Sequence, residues 1–132
     1  MGKFHFTLID DESSANFIVK VILRRVCRDA ETVSFENPCD ALNYLKTRSH
    51  TNADRHIVFL DLNMPQMNGF ELLKELNTSD ETPIPYHIYI LSSSVDPTDK
   101  NMAKSFSMVQ DFLEKPLTVE KLEEILANPR LN

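Results

Sequence analysis

Glycine is nearly missing from this chain: its 132 residues include only Gly2 and Gly69. A glycine-rich phosphate cradle is therefore excluded. That removes a P-loop NTPase, which needs GxxxxGK followed by Ser or Thr, and an FMN carrier with a hydroxyl- and Gly-rich loop after its first strand. Cysteine is also sparse. Cys27 and Cys39 stand apart from any CxxC or Cys/His cluster, so they read as buried or spectator thiols in a reduced, cytoplasmic setting rather than as metal ligands. Basic excess is absent: the net charge of −6 argues against a nucleic-acid-binding surface. No apolar run exceeds strand length, so no membrane span is expected. The start, Met1-Gly2-Lys3-Phe4-His5-Phe6, lacks the apolar core of a secretory signal. Phe6 stands where a myristoylation pattern requires Ser or Thr.

What remains, 42% hydrophobic and 26% charged residues, is the composition of one globular domain over 1–132. Strand-like and helix-like segments alternate along it with no linker, repeat or second domain. Strands are expected at Phe4 to Ile9, Thr32 to Glu36, His56 to Leu60, Tyr86 to Leu91 and Val109 to Leu113. Val33 and Phe35 alternate with polar neighbours, which suits a strand at or near an edge. Helices are expected at Ser13 to Cys27, from Pro38 onward, and at Phe70 to Leu76, Pro97 to Phe106 and Thr118 to Ala127, the last stopped by Asn128-Pro129. In the first helix the apolar stripe reads as Phe17, Ile18, Val21, Ile22 and Val26. The later inward residues read as Ala41, Leu42 and Leu45, then Phe70, Leu73 and Leu76, then Met102, Ala103 and Phe106. Five β-α units with short connections imply an α/β fold, a doubly wound parallel sheet with helices on both faces.

The chemistry lies just past the strands. Asp10-Asp11-Glu12 follows the first, Asp61 the third, Ser92 the fourth and Lys115-Pro116 the fifth. Open α/β sheets place their sites at these carboxyl ends. Three carboxylates at one mouth repel one another unless a cation joins them. Oxygen-only ligands suit Mg²⁺, and no His or Cys stands beside these acids to favour zinc or copper. With Mg²⁺ bound, Asp61 is a nucleophile for a phosphoryl group, Lys115 a partner for its oxygens and Ser92 a hydrogen-bond donor. Each piece alone has a plainer explanation as a helix cap, a loop serine or a solvated lysine. The combination, in order, does not.

These residues resemble the receiver domain of two-component response regulators over nearly the whole chain. The most specific stretch is Phe59-Leu60-Asp61-Leu62-Asn63-Met64-Pro65-Gln66-Met67-Asn68-Gly69, joined by Asp10-Asp11, Ser92 and Lys115-Pro116. The resemblance implies a flavodoxin-like five-stranded sheet of order 2-1-3-4-5, a fold whose sites lie at the carboxyl ends of the strands. It implies phosphorylation of Asp61, with Mg²⁺ on Asp11, Asp61 and the backbone carbonyl of Asn63, and Asp10 helping through water. Ser92 and Lys115 contact the phosphoryl group. Ser92 and Phe112 are the switch positions, and the signalling face is that of the fourth helix, fifth strand and fifth helix. The implied partners are a histidine kinase or histidine phosphotransfer protein and a downstream protein target, with the chain a monomer or weak dimer.

The chain departs from the family pattern in small ways. Ser92 replaces the commoner Thr, Phe112 the frequent Tyr, and the segment Ser105 to Asp111 lacks the usual Gly-Ala pair. Neither Asn63 nor Ser94 is a carboxylate that could act as a base toward attacking water, so a phosphoryl lifetime that is not especially short is expected. Lys20, Arg24 and Arg28 recur at four-residue spacing beside Leu23 and Cys27, first of all a solvated basic face; the resemblance implies in addition that this helix, next to the acid pair, meets the histidine phosphodonor. His5, His50, His56 and His87 are scattered singly and carry no assignment; Met64, Met67, Met102 and Met108 read as packing. A haloacid-dehalogenase-type phosphatase would need an acid where Asn63 stands. A pseudo-receiver that binds partners without phosphorylation would lack one of the five site residues, and none is missing.

Overall fold

The central strands carry the longest apolar runs, Ile57 to Leu60 and Ile88 to Leu91, because the sheet is covered on both faces there, whereas the edge strand Glu31–Phe35 alternates apolar and polar residues. The computed structural model describes residues 3–47, 54–77 and 86–128. Elements follow the order β1 (Phe4–Ile9), α1 (Ser13–Val26), β2 (Glu31–Phe35), α2 (Pro38–Thr47), β3 (Arg55–Leu60), α3 (Gly69–Asn77), β4 (Tyr86–Ser92), α4 (Pro97–Lys104), β5 (Val109–Glu114) and α5 (Val119–Leu126). All pairings are parallel and the strand order is β2-β1-β3-β4-β5. The expected α/β architecture and strand order are both found, with β2 at the edge. His50 and Pro129 lie outside the described residues.

Alternate strand residues divide between two cores. Val58, Leu60, Ile88 and Ile90 pack with Ala41 and Leu45 of α2, Leu72 and Leu76 of α3 and Ala103 of α4. On the other face Phe6, Leu8, Ile57 and Phe59 pack with Val19 and Leu23 of α1 and Leu122 and Ile125 of α5. Helix starts carry their own signals. Asn37 accepts from the Cys39 N–H at 2.8 Å, with Pro38 next. Asp96 accepts from the Thr98 N–H at 2.9 Å, and Thr118 from the Lys121 N–H at 3.1 Å. Asn68 and Glu71 form a reciprocal capping box, with bonds of 3.0 and 2.9 Å, at the start of α3. Among the described residues, no helix is long and apolar enough to cross a membrane.

Two helices depart in part from the sequence expectation, although Ile22 and Val26 of α1 pack against the core and Ala103 of α4 is buried as expected. In α1 the buried residues are Asn16, Val19 and Leu23, whereas Phe17, Ile18 and Val21 are 64%, 49% and 41% exposed. The cause is polar: the Asn16 side-chain amide donates to the carbonyls of Asp10 and Phe35, at 3.1 and 3.3 Å. That anchor turns Leu23 into the core and Phe17 and Ile18 out of it, against a larger apolar stripe. In α4 Ala103 is buried but Met102 is exposed, and Phe106 is half-buried beyond the end of the helix. A register shift between Ile88 and Tyr89 accommodates the entry into β5, where the Gly-Ala pair is missing.

Candidate functional site

The three acids meet because β1 and β3 are neighbours whose ends are level. Ile9 pairs with Leu60, and the Asp61 N–H continues the ladder onto the Ile9 carbonyl at 2.9 Å. Asp10 is held from the other side, its N–H donating to Phe35 at 3.1 Å. Asp10, Asp11 and Asp61 each offer an oxygen, all within 4.8 Å of one another. Asp10 and Asp61 are buried, each 5% exposed, and Asp11 is more open. The turn into α1 is pinned by the Glu12 N–H donating to Asp10 Oδ1 at 3.0 Å.

Lys115 reaches this cluster from the end of β5. Its backbone N–H donates to the Ser92 carbonyl at 2.9 Å, and its ammonium donates to Asp10 Oδ2 at 2.7 Å. The same nitrogen is 3.6 Å from Asp61 Oδ1. Burial pulls the ammonium's pKa down, but the hydrogen bond to Asp10 and the charges of Asp61, Asp10 and Glu12 outweigh it, so the pKa stands above the ordinary lysine value. Asp61 goes the other way. Burial first, then the Asp10 charge, push its carboxyl up to about 6, against Lys115 and the Asn63 backbone N–H. One lysine does not neutralise three carboxylates. The donor set, all oxygen and carboxylate-rich, fits a hard divalent cation such as Mg²⁺.

Ser92 is fully buried at the end of β4. Its Oγ accepts from the Ser94 N–H at 3.1 Å, which leaves its own proton to donate. Ser94 is engaged in turn, donating to Asp99 Oδ2 at 2.6 Å. Phe112 is already inward, 9% exposed and in the same core cluster as Ala103 and Ile90. The Lys100 ammonium lies 5.8 Å from its ring centroid. Asn63 is exposed on the loop after Asp61, between buried Leu62 and Met64. The structure thus brings Asp10, Asp11, Asp61 and Lys115 together, while Ser92 ends β4 and Asn63 stands just past β3 at the same end of the sheet, and Phe112 lies in the core with Ile90 and Ala103.

Lys115 bridges to Asp10, a contact that the spacing of residues in the sequence did not reveal. Replacing it with Met leaves Asp10 and Asp61 facing each other without a cation. Because Lys115 is partly exposed, the expected cost is about 1–2 kcal/mol in urea unfolding without divalent ions. Added Mg²⁺ should recover more stability in Lys115→Met than in the unaltered protein, since the competing ammonium is gone. An equal recovery in both would argue that Lys115 does not neutralise this cluster.

Beside the site, Ser13, Ser14, Phe17 and Lys20 of α1 and Ser34 and Glu36 at the end of β2 line an open groove of about 380 Å³.

The model of the response regulator receiver domain matches residues 6–127. A two-component response regulator of Arabidopsis thaliana is 32% identical over 135 residues, which cover 93% of this chain and 82% of the relative. A chemotaxis protein CheY homolog of Campylobacter jejuni is 28% identical, covering 90% of this chain and 89% of its own. Among solved structures, a two component response regulator from Cytophaga hutchinsonii superposes with a TM-score of 0.79 at 29% identity, covering 96% of both chains.

Proposed function

Since the chain belongs to the receiver-domain family of response regulators, the phosphoacceptor signalling modules of two-component systems, we propose that it takes a phosphoryl group onto Asp61 from a histidine kinase or histidine phosphotransfer protein. The observation that carries this reading is the buried Asp61 carboxylate among Asp10, Asp11 and the Lys115 ammonium. Asp61 Oδ attacks phosphorus, the bond from phosphorus to the donor histidine nitrogen breaks, and that nitrogen keeps the electron pair. Asp11, Asp61 and the Asn63 carbonyl would hold Mg²⁺, with Asp10 acting through water. When bound, the ion neutralises the charge that gathers on the transferring oxygens. Lys115 exchanges its bond to Asp10 for one to a phosphoryl oxygen, and Ser92 donates its hydroxyl proton to another.

The signal follows from the added charge. A phosphoryl group brings close to two negative charges and three strong acceptors. Ser92 is drawn toward it, and the space it leaves borders the inward Phe112, so the surface of α4, β5 and α5 is stabilised in a new arrangement. The donor docks on α1, where Lys20 and Arg24, with Arg28 just beyond the end of the helix, supply charge and Phe17, Ile18 and Val21 supply apolar surface. The domain passes the signal to a protein target.

Intact mass after incubation with acetyl phosphate or a phosphohistidine protein tests this. The expected product is heavier by roughly 80 Da, one phosphoryl group on a carboxylate. It disappears with Asp61→Asn and with EDTA. A folded, Mg²⁺-binding sample that gains no mass from either donor would instead be a pseudo-receiver.

A further inference from the structure

The Ser92 hydroxyl is tied to α4 through a single residue. Its Oγ accepts from the Ser94 N–H at 3.1 Å. The Ser94 hydroxyl donates to Asp99 Oδ2 at 2.6 Å, within the range for a hydroxyl on an ionised carboxylate. The same Ser94 Oγ accepts from the Asp96 N–H at 3.3 Å. Asp96 is the N-cap of α4, and Asp99 lies in its first turn. The next residue, Lys100, places its ammonium over the Phe112 ring.

Capping alone does not call for this arrangement. At α3 the box closes on itself: Asn68 accepts from the Glu71 N–H and Glu71 from the Asn68 N–H. At α4 the acid in the equivalent place, Asp99, takes the Ser94 hydroxyl, and Ser94 takes the Asp96 N–H. The closed unit thus includes a residue outside the helix, whose own N–H is spent on Ser92. We propose that the Ser94–Asp99 hydrogen bond is a latch, which holds Ser92 in its unphosphorylated position and ties its release to the first turn of α4. The latch rests on the reading of Asp61 as the phosphoacceptor.

Drawing Ser92 toward a phosphoryl oxygen stretches its bond from the Ser94 N–H. Ser94 can follow only by leaving Asp99, because that carboxylate is carried by α4. The Ser92–phosphoryl bond and the Ser94–Asp99 bond therefore compete. By reciprocity, whatever weakens the second strengthens the first. Release of Asp99 also frees the neighbouring Lys100, and with it the contact at Phe112, which packs in one core cluster with Ala103 of α4.

The test is titration of the Mg²⁺-saturated protein with beryllium fluoride, a tetrahedral stand-in for the phosphoryl group, followed by fluorine NMR. Ser94→Ala should tighten binding about 3- to 10-fold, the worth of one hydrogen bond partly open to solvent. Asp99→Ala should do the same, and the double variant should gain no more than either alone. Both side chains are only half-buried, so these variants should fold. In a Ser92→Ala background, Ser94→Ala should change nothing, because the moving hydroxyl is gone. Hydrogen exchange reads the other end of the latch. Beryllium fluoride should speed exchange of the Asp99 and Lys100 amides, both bonded to the Asp96 carbonyl. In Ser94→Ala that exchange should be fast already and indifferent to the anion. A loop merely loosened would exchange faster without binding more tightly. Ser94→Ala that weakens binding or leaves it unchanged, or a gain that persists without the Ser92 hydroxyl, overturns the latch. A parent protein that takes up no beryllium fluoride overturns the phosphoacceptor reading itself, and the latch with it.

Discussion

Asp61→Asn should make the divalent-free protein more stable at pH 7.5, by about 2–3 kcal/mol, and should leave it nearly unchanged at pH 4. The Asp61 carboxyl is pushed from 3.8 to about 6, by burial first and by Asp10 second. A folded-state pKa above the unfolded one means that folding favours the protonated form. Near pH 4 the folded protein carries that proton and the penalty is small. Between about 4 and about 6 the proton is lost and stability falls, and above that window the full penalty stands. Asn keeps the shape of the side chain without the charge, so it removes the penalty where it exists and does little where it does not. Urea unfolding at the two pH values, with EDTA present, measures the difference. Mg²⁺ should close the gap: an ion at a hundred times its dissociation constant adds about 2.7 kcal/mol to the native parent, about the size of that penalty, and Asp61→Asn lacks one of its ligands. An Asn variant less stable than the parent at pH 7.5 without metal would mean that Lys115 already satisfies Asp61.

Gly69→Ala should act in the opposite direction, destabilising the fold by about 1–3 kcal/mol and slowing phosphorylation. Gly69 opens α3 and has no positive φ, so its need is for space rather than for an unusual backbone. A Cβ there would sit 2.7 Å from the Asp61 carbonyl oxygen, 2.9 Å from Leu62 Cδ2 and 3.0 Å from Leu62 Cα. Two of these three atoms are backbone and cannot rotate away. Helix propensity alone would favour Ala by up to about 1 kcal/mol, so a loss of stability identifies the clash as the dominant effect. The loop is also tied by the Gly69 N–H donating to the Leu62 carbonyl at 2.9 Å. Pushing Gly69 away moves the Asp61–Asn63 segment on which the proposed cation and nucleophile depend. A displacement near 1 Å is worth about a hundredfold in rate, which acetyl phosphate kinetics would register. A stabilised variant with unchanged kinetics would show that the loop yields without cost.

Much of this molecule was legible in the sequence, for reasons of locality. An apolar run followed at once by Asp, Ser or Lys is a strand delivering a polar group to its end, and four such runs in order announce both sheet and site. The start of α2 at Pro38 and of α5 after Thr118 are likewise decided by neighbouring residues. The failures share one cause. The phase of α1 was read from its own stripe, but it is decided by Asn16 reaching the Phe35 carbonyl. Met102 was placed inward by periodicity in a short helix that keeps only Ala103 in the core.

The sequence by itself determined the order of elements, the parallel sheet and the identity of the groups at its carboxyl end, because periodicity and strand-end chemistry act over a few residues. Tertiary structure alone decided that Lys115 bonds Asp10 across 105 residues. It also decided that Phe17, Ile18 and Val21 face outward, and that two histidines 51 positions apart become stacked neighbours (roughly one strand spacing,). Those outcomes depend on strand register and helix rotation. Both are properties of contacts between distant segments, which no local pattern encodes.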